Sequence, residues 1–191
     1  MDSTADKGAL RLARDAARRN LPADEHRRRD AARTRVLLDH LPSPGVVALY
    51  ASRPGEPGTI ELIDAVQRSG WRVLLPRLGR EPDWAWATNP LRPGWAGIPE
   101  PTGPALGADA LAGADLVILP ALAVARDGTR LGTGGGWYDR ALPHARPGTP
   151  RWALTHADEV VDTLPLEPHD LPVDAVITEA GFTLLRRDHV S

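Results

Sequence analysis

The sequence predicts a single α/β domain over residues 1–191, built in three layers around a mostly parallel central sheet. Three observations carry that prediction. Short apolar runs bounded by turn residues alternate with amphipathic helical stretches, the pattern of strand–helix–strand units. Two of the runs, Val46–Tyr50 and Leu116–Leu119, are continuously apolar, as parallel strands buried on both faces are. No linker, repeat or low-complexity tract divides the chain, and 191 residues suffice for one sizeable core.

The elements follow in order. Leu10, Ala13 and Ala17 recur at helical spacing within Lys7–Arg19, with arginines around the rest of the wheel. Pro22 suits the first turn of a second helix that runs through Arg33 to about His40, and Pro42, Pro44 and Gly45 end it. Val46–Tyr50 reads as a buried strand and Ala51–Gly58 as a loop. Thr59–Ser69 reads as a helix with Ile60, Ile63 and Val66 on one face, closed by Gly70. Trp71–Leu75 is the next strand and Pro76 ends it. Trp84–Trp86 is a candidate strand, and prolines at 90, 93, 99, 101 and 104 make most of 77–114 irregular. After the strand Leu116–Leu119, Arg126–Gly136 reads as a glycine-rich loop and Trp137–Leu142 as a short helix. Trp152–Thr155, Ala175–Thr178 and Phe182–Leu185 read as strands.

Composition narrows the function classes. The net charge of −2 argues against a polyanion binder by bulk charge. The charge is uneven, however: residues 1–40 carry 10 basic against 7 acidic residues, and the remainder 13 against 18. A basic N-terminal segment suits phosphates or carboxylates. It also leaves open an RNA-binding helix, although no recognised RNA motif accompanies it. The absence of cysteine excludes disulfides, thiolate chemistry and cysteine-ligated metals. No signal-peptide apolar region opens the chain, and the uncharged run Leu116–Ala125 is about half of what a membrane span needs. The expectation is a cytoplasmic protein without nucleic-acid or membrane partners, either a monomer or a weak dimer.

The segment richest in chemistry is Arg130-Leu131-Gly132-Thr133-Gly134-Gly135-Gly136-Trp137-Tyr138-Asp139-Arg140. Four glycines in five positions permit backbone angles closed to other residues, so that successive N–H groups can converge on an anion. The helix that follows adds unpaired N–H groups and the positive end of its dipole, worth only ~0.3–1 kcal/mol at an exposed site. Most of the binding must therefore come from amides and nearby cations, with Arg130 placed to supply a planar fork that matches phosphate oxygens. No Gly-Lys-Ser/Thr follows, and the glycine spacing is not the dinucleotide fingerprint. A flexible surface loop is the alternative on pattern alone.

This string, preceded by Asp127-Gly128-Thr129, resembles the signature of the 5-formyltetrahydrofolate cyclo-ligase family. Other features of that family occur in order along nearly the whole chain. They are Lys7 with Arg11, Glu56 with Thr59, Gly97–Pro101, Asp115 with Pro120, His169-Asp170, and Val173-Asp174 leading into Ile177-Thr178-Glu179. The resemblance implies ATP- and magnesium-dependent conversion of 5-formyltetrahydrofolate to 5,10-methenyltetrahydrofolate, with release of ADP and phosphate. The formyl oxygen would attack the γ-phosphate, N10 would trap the iminium phosphate, and phosphate would leave. Such a reaction asks the protein to position reactants and neutralise charge.

Carried over residue by residue, the resemblance implies a catalytic role for Arg130. It implies ATP contacts from Lys7, Arg11, Arg130, Leu131, Gly132, Thr133, Gly134, Gly135, Gly136, Trp137 and Tyr138. Reduced folate would meet Arg11, Glu56, Gly135, Trp137 and Tyr138, with Glu56 accepting from pterin N–H groups. Asp139 and Asp174 would hold magnesium, which prefers hard carboxylate oxygens and water. Lys7 and Arg11 are four apart and share a helix face, which equally fits a solvated surface helix. Asp139 also suits a helix's first turn for the dipole alone. The aromatic after the glycines is Trp137 rather than the Tyr or Phe of the family pattern. Relatives also commonly carry Phe-Asp where Val124-Ala125 stands here, and a glutamine where Glu159 stands. The last two departures motivate an alternative, a non-catalytic folate- or nucleotide-binding module of the same fold. ATP and folate are expected at the C-terminal ends of the strands, where ligands of open α/β sheets bind.

Overall fold

A computed structural model describes residues 3–88, 90–94, 97–167 and 170–185, with side chains from Lys7 onward. Helices α1 (Ser3–Arg19) and α2 (Ala23–His40) precede strand β1 (Val46–Ala48), and helix α3 (Ile60–Arg68) leads to β2 (Arg72–Pro76) and β3 (Trp84–Trp86). Two short strands, β4 (Arg92–Pro93) and β5 (Pro99–Glu100), form a hairpin, and a 3-10 turn covers Ala108–Gly113. Then come β6 (Leu116–Pro120), β7 (Ala123–Ala125), β8 (Arg130–Leu131) and helix α4 (Trp137–Ala141). Strands β9 (Arg151–Leu154), β10 (Val160–Val161), β11 (Ala175–Thr178) and β12 (Gly181–Leu184) complete the described chain.

The central sheet has seven strands in the order β12-β11-β9-β6-β1-β2-β3. Its inner strands β11, β9, β6, β1 and β2 are parallel, and β12 and β3 run antiparallel at the two edges. The expected α/β class with a mostly parallel sheet is therefore what forms. Alternation along the inner strands divides two cores. Val47, Leu49, Leu116, Ile118, Trp152 and Leu154 face one side, where Leu37 of α2 and Leu62, Ile63 and Val66 of α3 cover them. The smaller Ala48 and Ala153, with Val117 and Leu119, face the other side. That second layer is built from short pieces: Leu111 of the 3-10 turn, Ala141 of α4, and Trp84.

Three local expectations change. Ile60 is 43% exposed, because Leu62 and Val66, one helical turn apart, set the buried stripe of α3 instead. Arg126–Gly136 is not one loop: Arg130–Leu131 pairs with Ala123–Val124 in an antiparallel hairpin, and Val160–Val161 joins β7 on its other side. Two-residue strands carry no periodicity that a sequence can show. The basic N-terminal segment is not a free cationic face. Arg18 pairs with Glu159, Arg28 and Arg29 with Glu25, and Arg33, 1% exposed, with Asp30 and Glu179.

Asp115 and Asp174 do the same job at the opposite end of the sheet from the strand C-termini. Each stands just before a strand and accepts the N–H that opens a neighbouring one, from Val46 at 2.9 Å and from Arg151 at 2.8 Å. The turn of the β7–β8 hairpin is fixed by Gly128, whose φ is +91° and whose N–H and carbonyl bond the Ala125 carbonyl and the Val173 N–H. A Cβ there would stand 2.5 Å from the Val173 carbonyl oxygen. Gly128→Ala should destabilise the fold by at least about 2 kcal/mol, from strain at positive φ plus a backbone clash. Chemical unfolding checks this, and a loss below about 0.5 kcal/mol would contradict it.

Candidate active site

The C-terminal ends of β1, β2 and β6 open onto one cavity of about 980 Å³, with Tyr50, Pro76 and Pro120 in its floor. That volume is at the upper end of the ~300–1,000 Å³ usual for ligand clefts. The chain leaving β6 turns through the β7–β8 hairpin and delivers the segment Arg130–Arg140 as one wall. Lys7 and Arg11 of α1, Arg53 and Glu56 of the loop after β1, and Glu167 and Asp170 before β11 supply most of the other charged groups.

The glycine segment has the properties its composition suggests. Gly134 has φ +96° and Gly136 φ +62°, conformations closed to most L-residues. Among the described residues, none of the amide N–H groups from Thr133 to Gly136 donates a hydrogen bond. The carbonyls are fastened instead: Arg11 Nε donates to Gly132 O at 2.9 Å and Arg140 Nη1 to Gly135 O at 3.2 Å. The loop is thus anchored through its acceptors while its donors stay available. Helix α4 has only five residues, so its dipole adds little and the amides and arginines carry the charge complementarity.

Arg130 is buried in β8, 7% exposed. Its Nη2 donates to Asp139 Oδ1 at 2.6 Å and its Nη1 to Leu171 O at 3.3 Å. One guanidinium therefore joins the first turn of α4 to the segment before β11. Lys7, 3% exposed, is not part of a solvated helix face. Its ammonium donates to Asp170 Oδ2 at 2.7 Å and Glu167 Oε2 at 2.9 Å. Burial alone would lower its pKa, but those two carboxylates outweigh burial and raise it, so Lys7 stays charged.

Glu56 closes a tight turn, accepting from Arg53 N–H at 3.1 Å and Arg53 Nε at 3.0 Å. Burial raises its pKa against those bonds and the charges of Arg53 and Arg18. Tyr138 is half-buried near it, and desolvation of its hydroxyl together with the Glu56 charge pushes the phenol well above the usual tyrosine range. Among the described residues, the buried Tyr138 hydroxyl and Trp137 indole N–H have no hydrogen-bond partner. Such groups cost ~1–3 kcal/mol each when left unpaired, which suits donors reserved for a ligand. Trp137 is itself set by edge-on contacts with Trp84 and Tyr138 at 5.2 and 5.1 Å between ring centroids.

The structure gathers Lys7, Arg11, Glu56, Arg130–Gly136, Trp137, Tyr138 and Asp139 around the one cavity. It does not bring Asp174 there. That carboxylate serves Arg151 at the start of the strands, away from Asp139. The acids that this part of the chain does send to the cavity are Glu167 and Asp170, the latter four residues before Asp174 and next to the Leu171 carbonyl that Arg130 holds. His169 lies outside the described residues. The two departures that motivate the non-catalytic reading lie off the cavity, whereas Trp137 lines it. Ala125 is fully buried in β7, and Asp127 caps the hairpin turn by accepting from Thr129 N–H at 2.8 Å. Glu159 forms a buried two-point ion pair with Arg18, at 2.7 Å on each oxygen. No group of three or more His, Asp or Glu among the described residues is arranged to hold a metal ion. Magnesium needs no such cage, because it keeps waters and shares phosphate oxygens with one or two carboxylates. Asp139 and Asp170 are two carboxylates on the cavity wall, held there by Arg130 and by Lys7. No helix among the described residues is long and apolar enough to cross a membrane.

Comparison with known proteins gives the chain's family and fold. The model of the 5-formyltetrahydrofolate cyclo-ligase family matches residues 3–179. The 5-formyltetrahydrofolate cyclo-ligase of Mycolicibacterium smegmatis is 39% identical over 192 aligned positions, covering 94% of this chain and 97% of its own. The Escherichia coli enzyme of the same name is 33% identical over 144 positions, covering 69% and 76%. Among solved structures, Aquifex aeolicus 5,10-methenyltetrahydrofolate synthetase superposes with a TM-score of 0.78 at 28% identity, covering 97% of this chain and 99% of that one.

Proposed function

The chain belongs to the 5-formyltetrahydrofolate cyclo-ligase family, whose reaction is the closing of 5-formyltetrahydrofolate to 5,10-methenyltetrahydrofolate, and we propose how its residues accomplish it. ATP lies with its terminal phosphates on the amides of Thr133–Gly136, flanked by Arg11, Arg130 and Lys7. The observation that carries this is the run of amides without partners, held in place by arginines on their carbonyls. The reduced folate occupies the middle of the same cavity, with its pterin ring against Glu56, Trp137 and Tyr138. Placing both in one cavity sets the formyl oxygen beside the γ-phosphate, which is the main task in a phosphoryl transfer.

The oxygen takes the phosphoryl group and ADP is released. N10 then attacks the activated carbon and gives up its proton to solvent, the C–O bond breaks, and phosphate departs with the former formyl oxygen. Arg130 neutralises charge on the phosphoryl oxygens and keeps Asp139 in place. Magnesium would neutralise further phosphate charge, held by Asp139 and Asp170 with phosphate oxygens and water. Asp174, committed to the Arg151 N–H, is left out of that ligand set. The need for ATP supports a cytoplasmic location. The non-catalytic alternative loses its motivation, since Ala125 and Glu159 serve packing and an ion pair away from the cavity.

The test is the growth of methenyl-folate absorbance from 5-formyltetrahydrofolate, expected only with ATP and magnesium present. No product with both present would reject the reading. Glu56→Gln should raise the KM for folate by about 10- to 100-fold, since bonds to a charged acceptor are worth ~1.5–3 kcal/mol. Ionised Glu56 can accept two N–H groups and the protonated acid fewer. The folate KM of the unaltered enzyme should therefore rise as pH falls through the raised Glu56 pKa, and the variant should lack that limb. Equal pH profiles for the two proteins would refute this role.

A further inference from the structure

Among the described residues, six cations line the cavity: Lys7, Arg11, Arg53, Arg80, Arg130 and Arg140. Five have partners within the chain. Lys7, Arg53 and Arg130 hold carboxylates, and Arg11 and Arg140 fasten the glycine loop. Arg80 differs: it is exposed, and among the described residues its side chain makes no hydrogen bond or ion pair. It sits on the loop that follows β2, together with Leu78. In the sheet order β6-β1-β2, the loops at the strand ends come in the sequence glycine-loop side, Glu56, Arg80. At ~4.8 Å per strand, Arg80 stands about two strand spacings from the phosphate side.

That order matches the parts of a reduced folate, which has a flat polar pterin, an apolar benzoyl ring and an anionic glutamate. With the pterin at Glu56, apolar surface at Leu78 and Ile98 is available to the aryl ring, and the next charged group on that wall is Arg80. An exposed rim is also where carboxylates keep most of their hydration. We infer that Arg80 is a specificity-determining residue that receives the glutamate carboxylates of the folate tail. This rests on the folate reading above and extends it to the end of the substrate remote from the chemistry.

The test compares two substrates in the full chain: 5-formyltetrahydrofolate, and its analogue with both glutamate carboxylates converted to amides. Arg80→Ala should raise the KM for the natural substrate about three- to fivefold, the range of an exposed ion pair, and Arg80→Glu should raise it further. The KM for ATP and kcat should not change, and neither variant should discriminate against the diamide. Added salt should shrink the difference between unaltered protein and variants. An unchanged KM for the natural substrate, or an equal rise for both substrates, would overturn the inference while leaving the folate reading intact. No turnover by the unaltered protein would overturn both.

Discussion

Arg130→Ala is expected to lower kcat by about 10²–10³-fold while changing the folate KM little, the effect of removing one preorganised donor aimed at developing charge. Three features of Arg130 make this the largest expected catalytic loss. It is buried, so its charge acts where water screens it poorly. It is held at two points, on Asp139 and on the Leu171 carbonyl, so little reorganisation is needed at the moment of reaction. Its removal also leaves the Asp139 carboxylate uncompensated beside the phosphates. Arg130→Lys should recover only part of the loss, because an ammonium cannot span both partners with a planar fork. An alanine variant that unfolds like the unaltered protein and keeps kcat within about twofold would exclude this role for Arg130.

The second large effect is on stability and centres on Arg18 and Glu159. Glu159 is 2% exposed and accepts from Arg18 on both oxygens, from the Thr155 hydroxyl and from His156 N–H. Arg18 also donates to the Ala121 carbonyl at 2.6 Å, just past the end of β6. Removing one partner of such a buried pair should cost about 3–5 kcal/mol, because the other charge is left buried and alone. Arg18→Ala or Glu159→Ala should show that loss in chemical unfolding. Each should also weaken ATP binding, since α1 carries Lys7 and Arg11 to the cavity and Arg18 fastens the same helix to the sheet.

The pH dependence has a definite sign. Burial would raise the Glu159 pKa, but Arg18, Thr155 and the His156 amide together lower it below its unfolded value. Its contribution is therefore fully present above the unfolded carboxylate pKa of about 4.3 and is lost as pH falls through the folded value. Glu159→Gln should remove that acid limb from the stability profile. An alanine variant destabilised by less than about 1 kcal/mol would show that the pair does not anchor α1.

What was legible in the sequence was local. Val46–Tyr50 and Leu116–Leu119 announce buried strands because both faces must be apolar, and the glycine segment announces its backbone freedom by composition. What was not legible depended on contacts remote in sequence. Asp170 and Asp174 are both acids ahead of the same apolar strand, and nothing local says which faces the cavity. Pairing of the Asp174 carboxylate with the Arg151 N–H, across to β9, decides it. The β7–β8–β10 sheet is hidden for the same reason, since strands of two or three residues exist only through their partners. The basic balance of residues 1–40 suits an anion partner outside the chain, yet Arg33 is buried against Asp30, Glu179 and the Thr155 carbonyl.

The most direct measurement is a crystal structure with a non-hydrolysable ATP analogue, magnesium and 5-formyltetrahydrofolate. The γ-phosphate should lie within hydrogen-bonding distance of the amides of Thr133–Gly136 and of Arg130, with the formyl oxygen beside it and the pterin on Glu56. A nucleotide seated elsewhere, with those amides still facing solvent, would contradict the central claim.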